Sequence, residues 1–296
     1  MTRPLSVLQN ATRADVRSDP FPHIVLKNAL PEALYDELAA SFPSAKALGV
    51  DTRQNNKRWN YFAYKVTKNG SLPKIWRDFI AYHASQAFYD EIVDLFYEDI
   101  AALYPGRFGD KAQMRGMRAG TRKLVDFSSA DVLMDAMISG NTPVTTAGSV
   151  RTSHVDLGDK LYSGLFYMRP DDYDAVGGDL TISRFADAAL TDVERHALFD
   201  DAYVEDRHLE HVATVPYAKN TVVLFINSLK SVHGVTVRQP SDKSRLFMNL
   251  VGQVDPPLYL LHQDGRPAEY VPDGYVSPRA KGDGLIMALI RRLRAA

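Results

Sequence analysis

The sequence predicts an α+β fold, in which helices from the first half of the chain support a β-sandwich or jelly-roll formed by the second half. Apolar residues recur every three or four positions before residue 105, whereas short segments rich in Val, Ile and Phe follow one another after residue 149. The two kinds of segment do not alternate, as they would in a βαβ protein. With 296 residues, 45% of them hydrophobic, the chain can bury a large core as a single domain.

The first half begins with a short strand and a helix. PFPHIVLKNAL has the β-branched and apolar character of a strand, and PEALYDELAASFP predicts a helix with Pro31 near its first turn. The segment from Pro73 to Tyr104 is the longest helical candidate, and its spacing is compatible with two consecutive helices. The residues expected on its buried face are Trp76, Ile80, His83, Ala87, Ile92, Phe96, Ile100 and Leu103.

From about residue 149 the pattern changes to strands separated by Gly, Asp, Asn and Pro. We therefore expect a mainly helical support region over 20–148, a β-rich core over 149–254 and a C-terminal extension over 255–296. The extension ends in LIMALIRRLRAA, an amphipathic basic segment that would dock on its own domain or on a twin subunit, which leaves a homodimer open. The predicted strands lie in RTSHVDLGDKLYSGLFYMRP, GGDLTISRF, HVATVPY, TVVLFINSL, SVHGVTVRQ and SRLFMNLVGQV.

Composition excludes several classes of function. A net charge of -1, from 35 Lys and Arg against 36 Asp and Glu, argues against a nucleic-acid partner. The absence of cysteine excludes disulfides, a thiolate nucleophile and an iron–sulfur cluster, and it leaves His and carboxylates as metal ligands. There is no glycine-rich phosphate loop, no signal-peptide core and no apolar run of membrane-spanning length. We expect a cytoplasmic protein without stable membrane insertion.

His154 and Asp156 are the first candidate metal ligands. On a strand, residues two apart project from the same face, so an imidazole and a carboxylate would converge. His233 follows the apolar segment TVVLFI and could join them in a folded-over sheet. Two His and one carboxylate suit non-heme Fe(II) oxygenases and also some zinc hydrolases. The alternatives are a solvated surface strand for the first pair and a core histidine for His233.

Arg245 opens the segment SRLFMNLVGQV. Alternation places Arg245, Phe247 and Asn249 on one face of this strand, opposite an apolar face. A guanidinium directed into a sheet needs an anionic partner, and a carboxylate that accepts two hydrogen bonds is the natural one. Tyr167, in LFYMRP, could donate to the same carboxylate. The alternatives are a protein acid as partner of Arg245 and a packed core position for Tyr167.

Together these residues resemble the Fe(II)- and 2-oxoglutarate-dependent dioxygenase superfamily, in particular its prolyl-hydroxylase-like branch. The resemblance lies in His-x-Asp, a distant His and an Arg twelve residues beyond it. It extends to PFPHIVLKNALPEALYDELAASFP, which is similar to the entry segment of many bacterial members, and to FYMRPDDYDAVGGDLTI, which is similar to a strand, acidic hairpin and Gly-Gly turn of the family.

The resemblance implies a double-stranded β-helix (jelly-roll) core buttressed by N-terminal helices. It implies that His154, Asp156 and His233 bind Fe(II), and that Arg245 binds the distal carboxylate of 2-oxoglutarate with help from Tyr167 and Asn249. O2 would be the second cosubstrate, and succinate and CO2 would be released. Because Asp156 is present, hydroxylation is favoured over halogenation, since halogenating relatives have a small residue at this position.

The sequence says least about the substrate. A small molecule, such as an amino acid, a sugar or a natural-product intermediate, is the leading expectation. The alternatives are a prolyl-type peptidyl hydroxylase and a metal-containing jelly-roll module that only binds. Candidate substrate residues are Arg58 and Asn60, in a segment typical of a covering loop or an ordinary surface turn, and Arg151. Residues 107–123 form a basic stripe if helical, or a solvated face or loop.

Overall fold

The computed structural model describes residues 5–261, which form six α-helices and twelve strands. The predicted C-terminal basic segment lies outside this range. No helix in the described range is long and apolar enough to span a membrane. The helices are α1 (Glu32–Ala40), α2 (Ala63–Val66), α3 (Lys74–His83), α4 (Gln86–Leu103), α5 (Lys111–Arg115) and α6 (Asp192–Ala197).

The strands form one large and one small sheet. The large sheet has the order β1-β10-β5-β12-β4-β2 with antiparallel neighbours, and β3 pairs in parallel with β4. The small sheet has the order β11-β6-β9, and β7 and β8 form a separate hairpin. The strands are β1 (His23–Lys27), β2 (Arg58–Tyr61), β3 (Ala119–Thr121), β4 (Val132–Asn141), β5 (Lys160–Tyr167), β6 (Leu180–Phe185), β7 (Phe199–Asp200), β8 (Tyr203–Val204), β9 (Leu209–Val215), β10 (Thr221–Ile226), β11 (His233–Val235) and β12 (Arg245–Val254).

The large sheet is the middle layer of three. On one face its side chains pack with those of α3 and α4, as Phe166 does against Phe79 with ring centroids 6.0 Å apart. On the other face they pack with the small sheet, in a cluster that includes Phe247, Phe225 and Ile182. Since both faces are covered, the central strands are buried throughout, which explains the continuous apolar run TVVLFI of β10.

The predicted break in the long helical segment is confirmed, and it changes which residues are buried. α3 ends at His83 and α4 begins at Gln86, after Ser85 in extended conformation. Because the helix restarts there, Ala87 is exposed rather than buried, and Phe88 and Tyr89 occupy the core instead. The other positions predicted for the buried face are buried, apart from the half-buried Leu103.

β4 is the main element that the sequence analysis does not anticipate. It lies between β12 and the edge strand β2 in the large sheet and pairs with β12 along its whole length, from Val132 opposite Val254 to Asn141 opposite Arg245. Its Asp135 is buried and binds Arg122, with 2.7 Å between Oδ2 and Nη2. The large sheet therefore draws strands from both sides of residue 149.

His83, at the end of α3, makes the stability of the fold depend on pH. Its Nδ1 donates to the carbonyl oxygen of Phe79 (2.7 Å) and its Nε2 accepts from the amide of Val7 (3.1 Å), which fixes the neutral form. Burial lowers the pKa of His83 to about 4. The unfolded chain, with a pKa of about 6.5, takes up the proton first as the pH falls. The contribution of neutral His83 to the free energy of unfolding is therefore fully present above about pH 6.5. It decreases by roughly 3 kcal/mol as the pH falls to 4.

Urea unfolding at pH 7 and pH 4.5 tests this expectation. From pH 7 to pH 4.5, the free energy of unfolding of the wild type should fall by about 2 kcal/mol more than that of His83→Gln. The variant lacks the buried imidazole whose protonation is linked to unfolding. His211→Gln, on the exposed part of β9, is the control and should fall like the wild type. An equal fall in all three proteins would contradict the role of His83.

Candidate metal centre

Three potential ligands converge between the two sheets. His154 and His233 are directly paired, and each backbone amide donates to the other's carbonyl oxygen over 2.9 Å. This close pairing brings the ring centroids of the two imidazoles to 4.2 Å. One ligand atom each from His154, Asp156 and His233 lies within 4.8 Å of the others, and all three residues are buried. The fold thus brings together the residues that the sequence singled out as a metal-binding set.

The local structure that achieves this differs from the expected strand. Residues 154–156 lie outside the regular strands, and β5 begins only at Lys160. His154 instead bridges the small sheet and the β7–β8 hairpin, because it pairs with both His233 and Tyr203. The backbone at Asp156 is held by the hydroxyl of Tyr259, which donates to its carbonyl oxygen over 2.8 Å. Long-range hydrogen bonds, rather than a regular strand, therefore place the pair.

Both imidazoles are prepared to bind a metal through Nε2. The Nδ1 of His154 lies 2.7 Å from the carbonyl oxygen of Thr152, and that of His233 lies 2.9 Å from the carbonyl oxygen of Ser231. A carbonyl only accepts, so each Nδ1 carries the hydrogen and each Nε2 keeps a free lone pair. Burial lowers the pKa of His233, and burial together with the charges of His233 and Arg151 lowers the pKa of His154 further. Both rings are neutral at pH 7.

Asp156 is a buried carboxylate among cations. Its Oδ1 lies 2.9 Å from the Nζ of Lys160 and 3.2 Å from the Nη1 of Arg151, and its Oδ2 accepts from the hydroxyl of Ser163 over 2.6 Å. Burial alone would raise the pKa of Asp156, but the surrounding positive charges, Lys160 foremost, hold it well below its ordinary value. The group is therefore ionised, as a metal ligand must be.

Lys160 and Ser163 contact Asp156 but were not predicted from the sequence. Both carried a usable signal, because Lys160 follows Asp156 by four residues and Ser163 is the small polar residue on the face of β5 that also carries Leu165 and Tyr167. The sequence does not reveal how the chain folds between Asp156 and β5. This fold turns the start of β5 towards the carboxylate of Asp156.

Arg245 enters the same cavity from the large sheet. As the alternation predicts, it lies with Phe247 and Asn249 on the face towards the small sheet. Its side chain is only 2% exposed, and within residues 5–261 it forms no ion pair with a carboxylate. Its Nη1 reaches Asn141 Oδ1 at 3.4 Å, while Nε and Nη2 are buried without a hydrogen-bond partner. A buried guanidinium in this state has the capacity to bind an anion.

Aromatic rings and a glycine turn hold the guanidinium in place. Its central carbon lies 5.0 Å from the ring centroids of Tyr167 and Phe247 and 4.8 Å from that of Tyr217. Gly178, with φ of +86°, passes so close that a Cβ there would lie 3.2 Å from Arg245 Cδ. Tyr167 is fully buried behind Arg245 rather than at the cavity surface, and its hydroxyl has no hydrogen-bond partner in the described chain.

The cavity that these groups share has a volume of about 270 Å³. Of the candidate substrate residues, Arg58 and Arg151 line it, as does Asn249. Asn60 is not part of the lining, and instead its Oδ1 accepts from Arg58 Nε over 3.4 Å and from the Ser139 hydroxyl over 2.8 Å. Arg58 and Asn60 belong to β2, an edge strand paired with β4, and not to a covering loop or a surface turn.

The basic segment 107–123 does not form a continuous stripe. α5 covers only five residues, because Gly116 ends it, and the cations are matched by nearby acceptors. Four of its cations therefore contact carboxylates of the same protein. The pairs join Lys111 and Arg115 to Asp94, Arg118 to Asp131, Arg122 to Asp135, and Arg107 to the carbonyl oxygen of Pro256.

Comparison with known proteins gives structural neighbours only. No family model matches the chain, and no curated protein matches it in sequence. The solved structures that resemble it include prolyl 4-hydroxylases from Pseudomonas putida and Phytophthora capsici, as well as a non-heme α-ketoglutarate-dependent carbocyclase from nogalamycin biosynthesis.

The similarity is distant in each case. The Pseudomonas enzyme is 12% identical with a TM-score of 0.42, over 78% of this chain and 92% of its own. The Phytophthora enzyme is 13% identical with a TM-score of 0.44, over 100% and 77%. The carbocyclase is 13% identical with a TM-score of 0.40, over 84% and 89%.

Proposed function

We propose that this protein is a 2-oxoglutarate-dependent non-heme iron dioxygenase. In the proposed reaction it hydroxylates an unactivated C–H bond of a small molecule and converts 2-oxoglutarate and O2 into succinate and CO2. One observation carries the proposal: a single cavity holds three converging ligands, His154, Asp156 and His233, together with Arg245, a buried arginine without a carboxylate partner among residues 5–261.

The arrangement of the sheets supports this function. Two mainly antiparallel sheets pack face to face, with the imidazole of His233 on the small sheet and Arg245 on the large one. We propose that they are the two halves of a double-stranded β-helix, supported by the N-terminal helices within a single catalytic domain. Such a fold fixes both ends of the cosubstrate on rigid strands, which favours precise orientation.

In this function, each residue of the site would have a separate role. His154, Asp156 and His233 would hold Fe(II). Arg245 would bind the distal carboxylate, with Asn249 at the cavity wall and Tyr167 behind the guanidinium. The bound iron, with its cosubstrates, supplies the oxidising chemistry. Phe225, whose ring centroid lies 4.5 Å from that of His233, and Leu180 exclude water from the ligands.

The size of the cavity is compatible with a small molecule as substrate. About 270 Å³ must accommodate 2-oxoglutarate and the group to be oxidised, which leaves room for little more than a small metabolite. A peptidyl hydroxylase would place a single side chain there. A module that only binds a metal would have no use for Arg245, whose burial without a partner is unfavourable.

Anaerobic titration of the Fe(II)-loaded protein with 2-oxoglutarate tests the proposal. Chelation of the metal by the keto acid should produce a weak visible charge-transfer band that saturates at one equivalent per iron. On exposure to O2, the complex should release succinate, and a small-molecule screen should identify compounds that accelerate this release. Iron that binds at the site without any band would refute the proposed function and favour the binding module.

A further inference from the structure

The cavity carries more positive charge than 2-oxoglutarate can use. Four cations line it, against the single carboxylate of Asp156. In the proposed function, the two positive charges of a divalent metal and the two negative charges of 2-oxoglutarate cancel. Arg245 then contacts the distal carboxylate of 2-oxoglutarate. The remaining cations are Arg58, Arg151 and Lys160.

Arg58 is the cation best placed for a second anion. In the register of the large sheet, Arg58 on β2 and Arg245 on β12 both lie opposite Asn141 on β4. Directly opposed residues project from the same face, so the two arginines flank Asn141 with their backbones about 10 Å apart. Their guanidinium carbons lie 5.5 Å and 5.0 Å from the ring centroid of Phe247. The two guanidinium groups thus border one aromatic ring at the cavity wall.

Arg58 is charged and has no carboxylate partner in the described chain. Its hydrogen bond is to the neutral Asn60, at 3.4 Å. A guanidinium remains protonated at pH 7. Arg58 is exposed to solvent within the cavity, so an incoming anion can reach it.

Arg151 and Lys160 add to this potential once a metal is bound. The distance to Asp156 Oδ1 is 3.2 Å from Arg151 Nη1 and 2.9 Å from Lys160 Nζ. A metal ion held by the same carboxylate competes for its negative charge, so the two cations are then less well compensated. Arg151 also stacks on Tyr203, with 5.6 Å from its guanidinium carbon to the ring centroid, which keeps it at the cavity wall.

We infer that the molecule oxidised at this site is a small anion, whose carboxylate or phosphate group binds Arg58 while 2-oxoglutarate occupies Arg245. This inference rests on the proposed function and narrows its substrate class. Arg151 would contribute as a second cation from the opposite side of the cavity. An anionic group bound at Arg58 would fix one end of the substrate, so that a C–H bond elsewhere in it is oriented towards the metal.

Methyl-proton NMR can test for the second anion site without knowledge of the substrate. The full chain would be loaded with Mn²⁺ and saturating 2-oxoglutarate, and titrated with acetate, methyl phosphate or the neutral acetamide. Binding near the paramagnetic ion broadens the methyl signal of the probe. We expect saturable broadening by acetate, methyl phosphate or both, and none by acetamide. The anion that binds more tightly distinguishes a carboxylate from a phosphate substrate.

Variants of Arg58 make the test specific. Arg58→Gln should weaken anion binding at least tenfold, Arg58→Lys should retain part of it, and the affinity for 2-oxoglutarate should change less than twofold in both. Arg118→Gln, outside the cavity, is the matched control and should behave like the wild type.

Three results would overturn the inference: equal binding of acetate and acetamide, anion binding that survives in Arg58→Gln, or a loss of 2-oxoglutarate affinity in that variant. The last would assign Arg58 to the cosubstrate. The charge-transfer band of the Fe(II) protein is recorded in parallel. If the band is present while the anion test fails, only the substrate class is wrong, whereas an absent band refutes the proposed function itself.

Discussion

Arg245→Met is expected to weaken 2-oxoglutarate binding by at least 100-fold while leaving metal affinity within about threefold of the wild type. A bidentate, charge-assisted contact to a carboxylate in a buried site is lost, and a 100-fold change corresponds to about 3 kcal/mol. His233 lies on β11, and His154 and Asp156 lie outside the regular strands, so none of the ligands belongs to β12. The measurement is the midpoint of the anaerobic charge-transfer titration, with iron content determined on the same samples.

The same variant separates a binding role from a structural one. Nε and Nη2 of Arg245 are buried without partners, so the uncompensated charge opposes folding, and the three surrounding rings offset part of that cost. Methionine fills a similar volume without charge. Without 2-oxoglutarate, the free energy of unfolding of Arg245→Met should therefore equal that of the wild type or exceed it by about 1 kcal/mol.

Arg238→Met is the matched control, because Arg238 is also fully buried but donates three hydrogen bonds from its two Nη atoms. Its Nη1 donates to Asn56 Oδ1 (2.6 Å) and to the carbonyl oxygen of Thr142 (3.0 Å), and its Nη2 donates to the carbonyl oxygen of Lys243 (3.0 Å). Removing it leaves buried acceptors unpaired, so stability should fall by about 3 kcal/mol or more. If Arg245→Met were destabilised as strongly as Arg238→Met, Arg245 would be a structural residue.

The sequence predicts the elements in which buried residues recur at a regular spacing or form one continuous apolar run. α1, the α3–α4 pair and the strands after residue 149 each bury one face or lie wholly in the core, and their apolar residues follow accordingly. β4 escapes this reasoning because Asp135, Ser139 and Gly140 interrupt its apolar run, although the whole strand is buried. The buried carboxylate is acceptable only because it accepts from Arg122 and from the amide of Ala63 at 3.0 Å, neither of which is evident from the strand's own sequence.

In the site, too, some residues can be identified from the local sequence, whereas others are placed by contacts between distant segments. His154, Asp156, His233 and Arg245 can be selected because their types and spacing are distinctive. Their surroundings depend on contacts between distant segments, such as the pairing of residues 153–155 with the β7–β8 hairpin. The position of Tyr167 behind Arg245, rather than at the cavity surface, likewise follows from how the sheets pack. Such contacts have no period that a single sequence could reveal.

Removal of either histidine ligand should abolish metal binding while the fold is kept. In His154→Ala and His233→Ala, we expect bound Fe(II) after dialysis to fall from about one equivalent to less than one tenth, since two remaining ligands do not compensate for the dehydration of the ion. The change is large because each Nε2 is presented by a ring whose Nδ1 is already held by a backbone carbonyl. Iron content and thermal unfolding would be measured on the same preparations.

His211→Ala provides the control for this experiment. His211 is exposed on β9, where its Nε2 lies 3.1 Å from the Thr214 hydroxyl, and it is not part of the cavity. This variant should bind iron like the wild type. The metal-free forms of all the variants should unfold within about 3 °C of the metal-free wild type, because the paired backbones of His154 and His233 are unchanged by the substitutions. Full iron content in either ligand variant would show that the metal lies elsewhere, and both the iron and the 2-oxoglutarate assignments would then fail.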